Sequence, residues 1–407
     1  MSDTGKLEAP VDRSNRAGPV EKGRSFSTEH RHHSLREARG AIEIVRTLEG
    51  LDDLSGDWRN LARDSPAPFL AYSWNRSWFQ GYGKDYDEIL VFVHRIDGKV
   101  TAILPCYRRG SEIRLAGDSI CDFQDIIART ITDAAKVLVG AADCLRDRRA
   151  GFRFCFPKSS SLGWISRIAS RPDLLPPRYL TFSKCFAPCP YVSIEKGFDS
   201  YLSVLPGKIR QEFRRSLRKL KTALPGVHHH IHRGTEITAD LVDEVAAFHE
   251  RHFRMKGEDP LASDRLRRHL AMIAASEDVG LQVATLRNGS DLLAVDIGFA
   301  VGGRYLGFLC GFDPAYSALA PGKCLLLSRI DEWVERDGIR VLDFLSGDES
   351  YKRRFTEGEA YEVCSIWMFP DRPANRLRRL TLEGMARAKK RVKRLIWRSR
   401  IAALRRK

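Results

Sequence analysis

The 407-residue chain has no apolar run approaching the roughly twenty residues that a membrane-crossing helix needs. It also lacks the apolar N-terminal segment of a secretory signal. Met1–Arg39 is polar instead, with Ser, Gly, Arg and His, and is expected to be disordered. The nine cysteines show no metal spacing. Cys185 and Cys189 form a CxxxC, but Pro188 and Pro190 crowd the second, and no His or further Cys pair follows. Cys106, Cys155, Cys310 and Cys364 lie in apolar runs, where free thiols act as small hydrophobes. An odd count without a signal points to a reducing cytoplasm. Neither GxxxxGK[ST] nor GxGxxG occurs, which removes the commonest nucleotide-binding loops.

Net charge is missing from most of the chain as well, although the total is +16. Fifteen Lys/Arg against Glu383 alone put +14 into 372–407, and 1–39 carries +2, so Gly40–Asp371 is neutral. A neutral body gives no reason to expect nucleic acid as a partner. The tail reads as a basic amphipathic helix, with Leu377, Leu380, Ala388, Val392, Leu395 and Ala402 roughly on one face. With Ile396 and Trp397 nearby, it suits peripheral contact with an anionic inner-membrane surface.

What is present is a globular composition, 43% hydrophobic, and a repeated order of elements. A strand at Ile42–Thr47 precedes helices at Leu51–Arg63 and Ser73–Gly81. Strands Ile89–Arg95 and Val100–Arg108 flank Asp97-Gly98, a hairpin signal. Short strands follow at Glu112–Ala116 and Asp125–Arg129, then a helix at Asp133–Asp147 and a strand at Phe152–Phe156. The second half opens with helices at Phe198–Val204 and Lys208–Thr222. It then repeats the pattern: strand Val227–Arg233, helices Leu241–Lys256 and Asp264–Ala275, and a meander of Leu281–Arg287, Leu292–Val301 and Tyr305–Phe312. The fold expected is mixed α/β in two like halves, 40–190 and 191–371, each a mixed sheet flanked by helices.

The segment Tyr305–Phe355 concentrates the chemistry. An apolar strand feeds a loop ending in Pro321-Gly322-Lys323, where a helix, Lys323–Arg336, begins. Free N–H groups and the positive end of the helix dipole suit a phosphate there. The strand Arg340–Leu345 then delivers Gly347, Tyr351 and Lys352 to the same end of the sheet. Asp343, on that apolar strand, can act as general base if burial raises its pKa; Asp348 and Glu349 are alternatives. The helix Lys208–Lys221, with Arg210, Arg214, Arg215, Arg218, Lys219 and Lys221, is either a solvated face or a phosphate-binding one. His228, His230 and His232 share one side of a strand, but no carboxylate or Cys stands at the usual spacing, so no metal is expected. His249 is one acceptor-side base candidate.

Four stretches, Lys208-Ile209-Arg210 through Lys221, Gly311-Phe312-Asp313-Pro314-Ala315-Tyr316, Pro321-Gly322, and Asp343-Phe344-Leu345-Ser346-Gly347-Asp348-Glu349-Ser350-Tyr351-Lys352, carry a resemblance over Tyr191–Phe369. The sequence resembles the GNAT acyltransferase superfamily, and within it the CelD-like branch tied to cellulose and exopolysaccharide production. Pro68-Phe69, Trp74, Trp78 and Phe79 resemble the opening of that family's N-terminal half. Tandem halves also occur in the Fem peptidyltransferases. The resemblance implies tandem GNAT-like halves and acyl-coenzyme A, such as acetyl-coenzyme A, as co-substrate between two splayed parallel strands. It implies donor contacts at Leu309, Gly311, Pro321, Gly322, Lys323 and Cys324, and catalysis by Tyr351, Asp343 and Lys352. The departure is a single Gly and one Lys where superfamily members carry (Q/R)xxGxG/A. The implied acceptor is a small molecule or a saccharide or lipid-linked precursor, in the cytoplasm. A Fem-like transferase using charged tRNA and a catalytically degenerate scaffold are the alternatives.

Overall fold

Paired left-handed residues set the longest hairpins. Asp97 (φ 49°) and Gly98 (φ 78°), and later Gly302 (φ 54°) and Gly303 (φ 71°), turn the chain in two residues with the hand that matches strand twist. The computed structural model describes residues 41–63, 65, 67–146, 152–253, 264–356 and 358–385, without the side chains of 251–253. The segment Met1–Arg39 and the tail from 386 onward lie outside the described residues. Through 385 the tail is helical, with Leu377, Leu380 and Met385 exposed.

The first half runs β1 (Ala41–Val45), α1 (Leu48–Asp53), α2 (Ser55–Ala62), α3 (Tyr72–Gly81), β2 (Glu88–Ile96), β3 (Lys99–Arg109) and β4 (Glu112–Leu115). It continues with β5 (Ile127–Ala128), α4 (Ile131–Leu145), β6 (Arg153–Ser160), α5 (Trp164–Ala169) and β7 (Tyr179–Ser193). The second half runs α6 (Gly197–Val204), α7 (Gly207–Ala223), β8 (Val227–Arg233), α8 (Ala239–Phe253), α9 (Asp264–Ile273), β9 (Leu281–Asn288) and β10 (Asp291–Val301). Then come β11 (Arg304–Phe312), α10 (Pro321–Ser328), α11 (Ile330–Arg336), β12 (Val341–Asp343), α12 (Lys352–Phe355) and β13 (Ala360–Pro370).

One mixed sheet carries them in the order β1-β2-β3-β4-β6-β13-β7-β12-β11-β10-β9-β8. The order is symmetric about its centre. Each half builds an antiparallel meander that meets one parallel strand, β4 with β6 and β11 with β12. Each half then lends its last strand to the other: β13 pairs with β6, and β7 with β12. The lent strands pair with each other from Ala360↔Pro190 to Pro370↔Tyr179. The mixed α/β fold in two like halves expected from the sequence is therefore present, joined by exchanged strands. Cys364 is not the free thiol the apolar run suggested. It stands directly opposite Cys185 in the β7–β13 register and is disulfide-bonded to it.

Three apolar clusters fill the layers. One lies between the sheet and α1–α3, α8 and α9, shared by both halves. A second backs the first half under α4 and α5, and a third backs the second half under α6, α7, α10 and α11. In the shared cluster His269 of α9 is buried, edge-on to Trp74 (centroids 4.5 Å), and its Nδ1 lies 2.9 Å from Ser77 Oγ. Burial pushes its pKa down to about 3. An unfolded His takes a proton near pH 6.5 while this one does not, so the unfolded state binds more protons as pH falls and stability drops. Between pH 7 and pH 5 this single group is expected to remove about 2 kcal/mol. Urea titrations at the two pH values check it; His269→Gln should shrink the difference by that amount, and an unchanged difference refutes it.

Candidate functional site

The second half opens where β11 and β12 part. They pair only through Arg304↔Val341, Tyr305↔Leu342 and Leu306↔Asp343. Beyond that point β11 keeps β10 on one edge, and the chain after β12 follows β7, with Phe344 N–H donating to Pro190 O (3.0 Å) and Gly347 N–H to Pro188 O (2.9 Å). A register shift between Ile297 and Gly298 leaves Phe308 as an extra residue of β11, and such a bulge bends a strand away from its neighbour. Among the described residues only three non-glycine residues have positive φ, and two stand beside this cleft: Ala320 (51°), entering α10, and Leu345 (53°), leaving β12. Backbone held in that region costs energy and marks sites that are set by their surroundings.

The first half has the same parting, but its own chain fills it. After Glu112↔Arg153 and Ile113↔Phe154, Gln124 bridges to Ser159 and donates its N–H to Lys158 O (2.9 Å). Lys158 Nζ in turn donates to Cys121 O (2.6 Å). The same loop reaches across the sheet, where Ser346 Oγ donates to Asp122.

Each residue singled out in the sequence has a definite place. Gly322 is at the start of α10, and a Cβ there would meet Phe312 no closer than 3.7 Å, leaving room beside the helix N–H groups. Cys324 is buried beneath the turn, its thiol pushed up to about 11 by burial. Lys323 points elsewhere: Nζ pairs with Glu212 Oε1 of α7 at 2.7 Å. That carboxylate also takes Arg354 (2.7 Å), and the Lys323 hydrogen bond holds its pKa below the usual range. Lys219 Nζ donates to Ala318 O (2.9 Å), so α7 anchors the loop before Pro321. Leu309 is half-buried, on the part of β11 beyond its pairing with β12. Gly311 has α8 against it, since a Cβ there would lie 3.4 Å from the His249 ring. His249 is fully buried on that side.

Asp343 is buried with every oxygen engaged. Oδ2 accepts from Arg304 Nη2 (2.9 Å) and Tyr361 OH (3.1 Å), and Oδ1 accepts from Leu345 N–H (2.9 Å). Burial raises its pKa while Arg304 opposes. That bond to Leu345 closes the turn at the cleft's rim. Lys352 is buried too, donating to Ser346 O (2.7 Å) and lying 3.1 Å from Glu349. Asp348 pairs with Arg353 at the surface. Tyr351 is partly exposed, its ring 6.5 Å from Phe344, and its hydroxyl lies near Cys310 of β11. Burial of that hydroxyl, with Cys310 adding to it, raises its pKa well above the usual phenol range. Tyr351 and Cys310 thus meet across the opening. Arg304, Tyr361, Asp122 and Glu212 escaped the sequence reading because each reaches its partner across a long separation, and no local spacing signals it.

A cavity of about 550 Å³ adjoins α12, lined by residues including Leu205, Pro206, Ile209, Arg353 and Arg354. No described helix is long and apolar enough to cross a membrane.

Residues 207–353 match the family described as acetyltransferase (GNAT) domain, which spans α7, the cleft and Tyr351. No curated protein sequence matches the chain. Solved structures share the fold at low identity. L-PGS from Bacillus licheniformis is 11% identical, with a TM-score of 0.52 over 83% of this chain and 96% of that one. FemX is 8% identical, with a TM-score of 0.51 over 81% and 97%. A conserved protein of unknown function from Bacteroides thetaiotaomicron is 14% identical, with a TM-score of 0.51 over 81% and 99%.

Proposed function

We propose that the protein is an acyltransferase that takes an acyl group from acyl-coenzyme A in the cleft between β11 and β12 and passes it directly to an amine or hydroxyl. The observation that carries this is the three-residue parallel pairing that then opens, inside the segment matching the acetyltransferase domain. The N–H groups at Gly322 and Lys323 would hold the diphosphate, where Gly322 leaves space and the helix dipole favours negative charge. The Lys323 ammonium is committed to Glu212, so backbone rather than side-chain charge does this. The side of β11 that faces the cleft beside Leu309 and Gly311 is where the acyl carbonyl would lie, with backbone polar groups to stabilise the negative charge that develops. Tyr351, with a raised pKa, stays protonated and donates a hydrogen bond to the departing sulfur, which leaves as thiolate and takes up the proton that the acceptor amine or hydroxyl releases. Asp343 and Lys352 hold the rim that positions it. A saccharide or lipid-linked acceptor of the CelD-like kind is supported by the adjoining cavity, whose apolar wall ends in Arg353 and Arg354.

The second reading is a Fem-like aminoacyl transfer, favoured by the likeness to FemX across both halves. A thermal-shift panel of acetyl-, succinyl- and longer acyl-coenzyme A separates them. A bound donor at about 100 Kd adds roughly 2.7 kcal/mol to stability. Gly322→Asp is expected to keep the unliganded Tm, since its Cβ fits and a carboxylate suits a helix start. It should abolish the shift by repelling the diphosphate. If no thioester shifts the wild type, the donor is not acyl-coenzyme A; if charged tRNA binds instead, the Fem-like reading replaces it.

A further inference from the structure

We infer that His230, His232 and Glu236 form a binding site for a divalent transition-metal ion of the zinc or nickel class. The sequence offered the histidines without a carboxylate; the fold supplies it. After β8 the left-handed Gly234 (φ 53°) turns the chain into the short helix Gly234–Glu236. That turn folds Glu236 back on the strand, where its Oε2 accepts the Arg233 N–H (3.1 Å) and stands 3.5 Å from His230 Nε2. The His230 and His232 rings, two residues apart on the edge strand, face the same side with centroids 4.4 Å apart. One ligand atom from each of the three lies within 4.8 Å of the other two.

Ligands about 2.0–2.1 Å from a tetrahedral zinc stand roughly 3.4 Å apart, so the His230–Glu236 edge is already at that length. The longest edge needs to close by only about 1.4 Å, within reach of two side chains at the surface. Two imidazoles and one carboxylate suit zinc or nickel and not magnesium, which prefers oxygen alone. A fourth position would be left to water. Thr285 Oγ1 of β9 lies 3.4 Å from His232 Nε2, an outer partner able to fix that ring. His229, on the opposite side, is engaged with Glu332 at 3.3 Å and takes no part. An ion here would tie the edge strand to the turn that enters α8, the helix whose His249 lies against Gly311 of β11.

The test uses the full-length chain, free of any affinity tag, carrying His30→Ala, His32→Ala and His33→Ala so that the N-terminal histidines do not contribute. Calorimetric titration with zinc chloride and with nickel chloride should give one ion per chain, and magnesium none. His230→Ala/His232→Ala is expected to weaken binding at least about 100-fold, beyond the loss an outer-sphere partner causes. Glu236→Gln should weaken it less, and His228→Ala should leave it unchanged. His230 is half exposed, so its single replacement folds, and metal-free Tm values confirm that the variants do. Absence of stoichiometric zinc binding, or binding that survives the double replacement, overturns the site and leaves an ordinary His–Glu ion pair.

Discussion

Asp296→Ala is expected to destabilise the protein by about 3–5 kcal/mol, the cost of leaving a buried charge without its partner. Arg329, between α10 and α11, has no exposed surface. Its Nη2 donates to Asp296 Oδ2 (2.8 Å), its Nε donates to Leu325 O (3.0 Å), and its guanidinium lies 4.3 Å from the Trp333 ring centre. Burial opposes the Arg329 charge, yet Asp296 and Tyr305 more than offset this and its pKa is raised. The Tyr305 hydroxyl donates to the same carboxylate oxygen, and Tyr305 is the second residue of β11, at the base of the cleft. Removing Asp296 strands the guanidinium in a layer that water does not reach. Arg329→Met alone should also destabilise, by orphaning the carboxylate. Asp296→Leu/Arg329→Met together should recover much of the loss, because apolar residues can replace a buried pair at little cost. Urea unfolding of the wild type, Asp296→Leu, Arg329→Met and the double replacement forms the cycle. If the single and double replacements simply add, the pair is not the lock that holds α10 and α11 on the sheet.

Local signals were legible and long-range pairing was not. Asp97-Gly98 fixed one hairpin because both residues accept positive φ, and β8 runs Val227–Arg233 as its alternation suggested. The start of α10 at Pro321 follows from Pro at the first helical position. The helix expected over 323–336 is instead two, Pro321–Ser328 and Ile330–Arg336, with the buried Arg329 between them. The helix expected over 51–63 is likewise two, Leu48–Asp53 and Ser55–Ala62. β7 was hidden: Pro188 and Pro190 argue against a strand, yet both sit in one, opposite Glu362 and Ala360. Its exchange with β13 links residues some 180 positions apart, which no periodicity records. For the same reason the sequence offers candidate site residues by chemical type and not by what they are bound to. Lys323, Asp343 and Lys352 have the right chemistry for a site, and only the fold shows their groups already bound to Glu212, to Arg304 and Tyr361, and to Ser346.

Among the polar side chains at the cleft, that leaves Tyr351 with its hydroxyl turned toward β11, and Tyr351→Phe is the sharpest test of the chemistry. The phenyl ring keeps its place near Phe344 and loses only the hydroxyl on the side of Cys310. Since the ring is partly exposed, stability should change little. Thiol release from acyl-coenzyme A, followed with a thiol reagent in the presence of an accepted amine or hydroxyl, should fall roughly 10²–10³-fold in kcat, the usual cost of removing one donor from a developing charge. KM for the thioester should stay within about threefold, because the bond is made to sulfur only as it departs. A raised KM with unchanged kcat would assign Tyr351 to donor binding instead. A kcat near the wild-type value would place the departing sulfur away from the Tyr351–Cys310 contact, and with it the acyl group away from the mouth of β11.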